Sequence, residues 1–233
     1  MFSERSIEDK MEIAIADLES DQHTESILFF LEKYLPAFVE EIKLLENERE
    51  NSINSQLSLF LNSCVLSENS FRFLFDRESP DSKSPEDITV NKKTGQRFLK
   101  IFVIECKRLP APPPSHREQE YVAGKGAGIQ RFKELQQGKH FSTAAMVGYV
   151  EKENFSYWFK QMNFWIEELT KQPENILWSK KDKLQKEYER EKVAKYKSEN
   201  SRTNGTNIHL IHFWILKTVD KTTNKKNEQQ TIL

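Results

Sequence analysis

One stretch constrains the fold of this chain more than any other: residues 98–109, FLKIFVIECKRL, are apolar and β-branched and end in charges. This composition is typical of a β-strand. Because residues two apart in a strand lie on the same face, Glu105 and Lys107 project together and Cys106 points to the other face. Burying such charges is costly unless they are paired or hold a metal. The pair indicates either a strand end that reaches solvent or a functional site.

A second strand precedes this run and pairs with it as a hairpin. Residues 86–90, EDITV, are β-prone, and residues 91–96, NKKTGQ, supply the turn. Asp87 then lies near the start of one strand, where it and Glu105 could chelate a hard divalent cation. Counting about Thr94 places Asp87 nearer Phe102 than Glu105. A bulge, a bend or a longer turn is therefore needed to bring the two carboxylates together.

At this point the sequence resembles the PD-(D/E)XK nuclease superfamily, which has the restriction-endonuclease-like fold. The signature of that superfamily is an Asp, a short β-hairpin and then Glu-x-Lys, matched here by Asp87, Glu105 and Lys107. The literal Pro-Asp pair occurs earlier, at residues 80–81, among serines that are typical of a loop. We prefer Asp87, since Ile88 and Val90 place it on a strand, and Asp81 is the second candidate.

The resemblance implies a Mg²⁺- or Mn²⁺-dependent nuclease that hydrolyses phosphodiester bonds in DNA, as restriction and anti-phage defence nucleases do. Asp87 and Glu105 would hold the metal, and Lys107 would orient the attacking water or help to deprotonate it. The alternative is a PD-(D/E)XK-like module that binds DNA or a protein without turnover. It is motivated by the net charge of only −1 and by the ambiguity of the motif aspartate. Restriction endonucleases often dimerise, so a homodimer is an analogy-based expectation.

A helix over residues 46–57 and beyond is expected before the sheet, with Ile53 and Leu57 facing inward. Nucleases of this superfamily often add a carboxylate from this helix. Glu50 occupies a position that fits this role as a metal ligand, and Glu46, one turn earlier, is the other candidate. The alternative is that both glutamates are ordinary solvated helix residues.

A glycine-rich entry into a helix follows the motif strand, at residues 121–133, and the helix is expected to run to about Gln137. The resemblance implies that this helix brings a polar residue, Gln130, to the active site; the alternative is an exposed helix position. The spacing of the glycines is only a weak signal of a nucleotide-binding loop. Residues 142–150, STAAMVGYV, then read as a buried strand beside the motif strand.

The order of elements predicts an α/β (α+β) fold with a restriction-endonuclease-like αβββαβ core. Its mixed central sheet is flanked by helices, with further helices at both ends of the chain. Before the core, one helix is expected to about residue 22 and a second from Thr24 to residue 45, interrupted at Pro36. Three elements are expected after residue 150. Residues 155–169 form an aromatic helix, whose aromatic face is either packed in the hydrophobic core or a platform on which bases stack. Residues 180–197 form a solvated basic helix, and residues 207–216 form a last strand.

Composition fits one domain over residues 1–233: a helical extension (1–45), the core (46–150), and C-terminal helices with a last strand (151–220). Residues 1–50 hold fourteen acidic and five basic residues, so the remainder carries +8 by subtraction from −1.

The two cysteines indicate neither a disulfide framework nor a zinc site. No apolar run approaches the length of a membrane span, and a cytoplasmic protein is expected.

Overall fold

The computed structural model describes residues 7–45, 48–68, 72–77, 87–113, 115–124, 128–172 and 177–217, and only the backbone of residues 7–21, 115 and 116. The helices are α1 (Ile7–Glu41), α2 (Glu50–Ser67), α3 (Gly128–Lys133) and α4 (Phe155–Thr170), with 3₁₀ segments at Ser115–Tyr121 and Lys180–Asp182. The strands are β1 (Phe73–Asp76), β2 (Ile88–Thr94), β3 (Arg97–Leu109), β4 (Thr143–Val150), β5 (Gln185–Glu189), β6 (Val193–Ser201) and β7 (Asn207–Leu216).

The fold is α+β, with a seven-stranded mixed sheet flanked by helices. The strand order is β1-β2-β3-β4-β7-β6-β5. The first three strands form an antiparallel meander, β3, β4 and β7 run parallel, and β6 and β5 return antiparallel. A 3₁₀ segment and α3 make the crossover between β3 and β4, as parallel neighbours require. The strand that carries Glu105 and Lys107 is therefore antiparallel to one neighbour and parallel to the other.

Each face of the sheet is covered by a separate hydrophobic core. Helices α1 and α2 pack on one face, where Cys106 of β3 lies among buried residues of β4 and β7. Helices α3 and α4 pack on the other face, with Val103, Leu109 and Trp214 beneath them. Strand alternation assigns Glu105 and Lys107 to this second face. No helix in the described part of the chain combines the length and apolar character needed to cross a bilayer.

The predicted break between two N-terminal helices near residue 23 and the predicted interruption at Pro36 are both wrong, because α1 runs as one helix from Ile7 to Glu41. A proline inside a helix removes one backbone hydrogen bond and costs roughly 3 kcal/mol. The residues around it, Leu31, Leu35 and Phe38, are fully or almost fully buried against the sheet. Packing of this face outweighs the local cost, since tertiary burial routinely overrides propensity.

The predicted basic helix over residues 180–197 is also wrong, since a short 3₁₀ segment, β5 and most of β6 occupy this region. The described residues after β4 therefore contain one long helix, α4, where the sequence predicted two. On β6, Tyr196, Ser198 and Asn200 are buried while Lys197 is exposed, which is the alternation of a strand. The weak helix preference of Lys and Glu is overcome by pairing with β7 along all nine residues of β6.

Candidate functional site

The C-terminal half of β3 extends past its neighbour in the meander. The first residue of β2, Ile88, pairs with Ile104, whereas β4 accompanies β3 as far as Leu109. Strand N–H groups beyond Ile104 on the β2 side therefore need other partners. The carboxylate of Asp87 accepts the N–H of Cys106 at 2.8 Å. The carboxylate of Glu50, at the start of α2, accepts the N–H of Arg108 at 3.0 Å.

A two-residue turn and a register shift in the hairpin together bring Asp87 to this position. The predicted turn over residues 91–96 is too long, because β2 continues to Thr94, which pairs with Arg97 across Gly95 and Gln96. The shift lies between Val90 and Asn91 of β2, where Phe102 and Lys100 are successive partners on β3. Pairing of Thr94 with Arg97 would by itself set Asp87 level with Ile104, and the one extra residue on β3 moves Asp87 one position further, to the level of Glu105. The structure thus contains the irregularity that the hairpin count requires.

Lys107 lies at the centre of the site and is only 7% exposed. Its ammonium nitrogen is 2.7 Å from Glu105 Oε1, 3.7 Å from Glu50 Oε1 and 3.9 Å from Asp87 Oδ2. The three carboxylates come from three separate segments of the chain. The structure therefore brings four of the five predicted site residues together: the carboxylates of Glu50, Asp87 and Glu105 surround the side-chain nitrogen of Lys107.

Glu105 is fully buried and is held from a second side by α3 and by the segment that follows this helix. Arg131 Nη1 lies 3.2 Å from Glu105 Oε1, and the side-chain amide of Gln137 donates to Glu105 Oε2. Among the described residues of the site, three carboxylates thus face two cations, Lys107 and Arg131, which leaves one excess negative charge when all are ionised. We expect this excess to favour either protonation of one carboxyl group or an additional cation.

The pKa values of the site show how the excess charge is distributed. Burial and then the charge of Glu105 raise the pKa of Asp87 to about 8. Burial also raises the pKa of Glu50, while Lys107 opposes that rise. Burial opposes ionisation of Glu105 too, but the charges of Lys107 and Arg131 outweigh it and hold its pKa below the ordinary value. The pKa of Lys107 is raised by Glu105, Asp87 and Glu50 despite burial, so Lys107 stays charged.

Gln130, the fifth predicted residue, bonds elsewhere among the described residues. Its side-chain oxygen accepts the N–H of Gly124 at 2.9 Å, and its amide donates to Glu134 at 2.6 Å. The polar contacts to Glu105 come instead from Arg131 and Gln137, which the sequence prediction did not assign. Helix α3 ends at Lys133 rather than near residue 137, so the chain turns before Gln137.

The turn after α3 explains why Gln137 was missed. Leu135 has a φ of 60°, a left-handed conformation that is uncommon for a non-glycine residue and ends the helix. The observed turn buries the side chain of Gln137 against Glu105, where it is almost fully enclosed. The sequence signal that could have indicated this turn is weak, since only Gly138 follows it as a helix terminator.

The donor set suits a hard divalent cation in its chemistry. Carboxylate oxygens are the ligands preferred by Mg²⁺ and Mn²⁺, and the site has excess negative charge. Within the described residues, however, no three Asp, Glu, His or Cys side chains form a group arranged to hold a metal. The ammonium of Lys107 lies among the three carboxylates. Asp81 and Glu46, the alternative ligands, lie outside the described residues.

Comparison with known proteins identifies no relative of this chain: no family model, curated protein or solved structure matches it. Its function must therefore be inferred from the sheet topology and the geometry of the site.

Proposed function

We propose that this protein is a metal-dependent nuclease that hydrolyses DNA phosphodiester bonds and has a restriction-endonuclease-like core. The observation that carries the proposal is the position of the Lys107 ammonium within 4 Å of three carboxylates. This cluster lies where β3 passes from an antiparallel to a parallel neighbour. The order α2, β1, β2, β3, crossover and β4 supports the same assignment, because it is the αβββαβ order expected from the resemblance.

Asp87, Glu105 and Glu50 would hold Mg²⁺ or Mn²⁺ in this proposal. When bound, such an ion lowers the pKa of its water and offsets charge on the phosphate. Lys107 donates to the attacking water and orients it, and its raised pKa keeps the ammonium charged for this role. Arg131 and Gln137 fix the Glu105 carboxylate by hydrogen bonds.

Gln130 remains a predicted contact to water or phosphate. Its amide would have to exchange its present partners, Gly124 and Glu134, for the substrate. Residues 125–127, next to these partners, lie outside the described residues. The assignment of Gln130 therefore depends on the family resemblance alone.

A second candidate is a PD-(D/E)XK-like module that binds DNA or a protein partner without hydrolysis. The observation that favours it is that Lys107 and Arg131 already compensate two of the three carboxylate charges of the site. If no metal ion binds among these carboxylates, the buried ion pairs of Lys107 have a structural role only. The two candidates differ in one property, the dependence of DNA cleavage on a divalent cation.

Nicking of supercoiled plasmid with Mg²⁺ or Mn²⁺, and with EDTA, tests the proposal. We expect metal-dependent nicking by the wild type and a loss of about a hundredfold or more in Lys107→Met, because removing one preorganised hydrogen-bond donor from an active site costs about 10²–10³-fold. The matched control is Lys195→Met. Lys195 also pairs with two carboxylates, Glu32 at 2.8 Å and Glu187 at 3.2 Å, but on β6.

Asp87→Asn provides a second variant that keeps the shape of the side chain, and circular dichroism verifies that each variant folds. Equal nicking by the wild type, Lys107→Met and Asp87→Asn would remove the catalytic assignment. Nicking by none of the proteins under any metal would favour the binding module.

A further inference from the structure

A cavity of about 260 Å³ lies between α4 and the residues that follow β3. Its aromatic lining comes from Tyr157, Trp158 and Trp165 of α4, and Gln161 lies between them along the helix. Steps of three and four residues place these side chains on one face of α4. Trp158 and Trp165 are 5% and 7% exposed, whereas Tyr157 is 44% exposed. The two indoles form a fixed floor, and the phenol ring forms an accessible wall.

The cavity lies on the same side of the sheet as the candidate site. Leu109 packs in the core beneath α4 and shares its strand face with Lys107. Pro110 lines the cavity only three residues after Lys107. At ~3.3 Å per residue this separation is roughly 10 Å.

The 3₁₀ segment after β3 connects the two places. Glu118 of this segment lines the cavity. Glu120, two residues later, is close enough to Glu50 for its charge to contribute to the raised pKa of that carboxyl group. A nucleic acid strand bound at Lys107 would therefore reach the cavity by extending along this 3₁₀ segment.

The polar lining determines which part of a nucleotide fits. The carboxylates of Glu118 and Glu153 outnumber the one ammonium, that of Lys152, so the cavity repels a phosphate group. The same carboxylates accept hydrogen bonds from the amino groups of bases, and Gln161 both donates and accepts. The indole N–H of Trp158 is already donated to the carbonyl of Lys152 at 2.8 Å. Among these aromatic side chains, the half-exposed ring of Tyr157, which is held edge to face against Trp158 with ring centroids 5.2 Å apart, offers a surface for stacking.

We propose that this cavity binds one unpaired nucleobase of a single-stranded or locally opened DNA substrate. The base lies against the ring of Tyr157 above the two indoles, and its polar edge meets Gln161 and Glu118. The inference rests on the proposed function, since it takes DNA as the substrate. It adds a preference for unpaired over fully paired DNA near the scissile phosphate.

Binding to the full-length protein in EDTA tests this inference without requiring cleavage. Intrinsic tryptophan fluorescence is titrated with a short oligodeoxyadenylate, with an abasic oligomer of equal phosphate number, and with a fully paired duplex. We expect quenching and at least about tenfold tighter binding for the base-bearing single strand than for the abasic oligomer. Tyr157→Ala and Gln161→Ala should each weaken binding of that strand, Tyr157→Ala by about tenfold.

The matched control is Phe164→Ala, because Phe164 is an aromatic residue of the same helix that is 56% exposed and does not line the cavity. It should bind the oligomer like the wild type. Equal affinity for the base-bearing and abasic oligomers, or unchanged affinity in Tyr157→Ala, would overturn the inference. Failure to bind any oligomer would overturn it as well.

Plasmid nicking by the same proteins separates this inference from the proposed function. Metal-dependent nicking with unchanged oligomer affinity in Tyr157→Ala would leave the nuclease assignment intact and refute the cavity assignment. Base-dependent binding without nicking would support the cavity and favour the non-hydrolytic module.

Discussion

At the scale of residues, the relation between Glu105 and Lys107 could be predicted because it depends only on local strand geometry. Residues two apart in any strand share a face, and the two side chains lie 2.7 Å apart. The level of Asp87 against β3 depends on the place of the turn, at Gly95 and Gln96, and on a register shift between Val90 and Asn91. No local pattern in the sequence specifies that shift. The sequence could therefore indicate that an irregularity was needed, but not where it would occur.

The pKa of Asp87 leads to a prediction about stability. Its folded value is about 8 against an ordinary value of 3.8, so between these limits the folded protein retains a proton that the unfolded chain has lost. The unfolded state then binds fewer protons, and the free energy of unfolding falls as pH rises, by at most about 1.4 kcal/mol per pH unit. The ionised Glu105 does not contribute in this window, since its pKa lies below 4.5.

Asp87→Asn removes this titration. Urea unfolding in EDTA between pH 5 and 8 should therefore show the wild type losing stability relative to Asp87→Asn as pH rises. Parallel pH dependences for the two proteins would contradict the buried, charge-rich environment assigned to Asp87.

At the scale of elements, the three strands of the meander and β4 could be predicted because their composition and alternation agree with their burial. The segment that became β5 and β6 could not, because its Lys and Glu residues favour a helix locally. Only pairing with β7, which follows it in sequence, makes β6 an interior strand. The end of α3 was likewise misplaced, since it depends on the conformation of Leu135.

The turn after α3 gives a prediction with a neighbouring control. Gln137→Leu removes the donor to Glu105 Oε2 and leaves that oxygen buried without this partner. We expect a loss of roughly 1–3 kcal/mol in the free energy of unfolding, together with slower metal-dependent nicking. Gln136→Leu should change neither property, because Gln136 is exposed and its amide bonds to Glu134. Equal effects of both substitutions would exclude a specific role for Gln137.

At the scale of the whole molecule, the uneven charge of the sequence is partly compensated within the fold. Lys192 and Lys195 of the basic C-terminal part pair with Glu40 and Glu32 of the acidic α1. Lys195 and Lys197 also pair with Glu187 of β5. These lysines are therefore poor candidates for a basic surface that binds DNA. Net charge by segment did not reveal this pairing, because it requires contacts between distant parts of the chain.

The central claim is that the carboxylates around Lys107 form a divalent-cation centre. Titration with Mn²⁺, followed by electron paramagnetic resonance of the free ion, tests it most directly on the wild type, Asp87→Asn, Glu105→Gln and the control Glu187→Gln. We expect the wild type and Glu187→Gln to bind Mn²⁺ equally, and the two site variants to bind at least about tenfold more weakly, because each loses a ligand charge. The absence of Mn²⁺ binding by the wild type, or equal affinity in all four proteins, would contradict the claim.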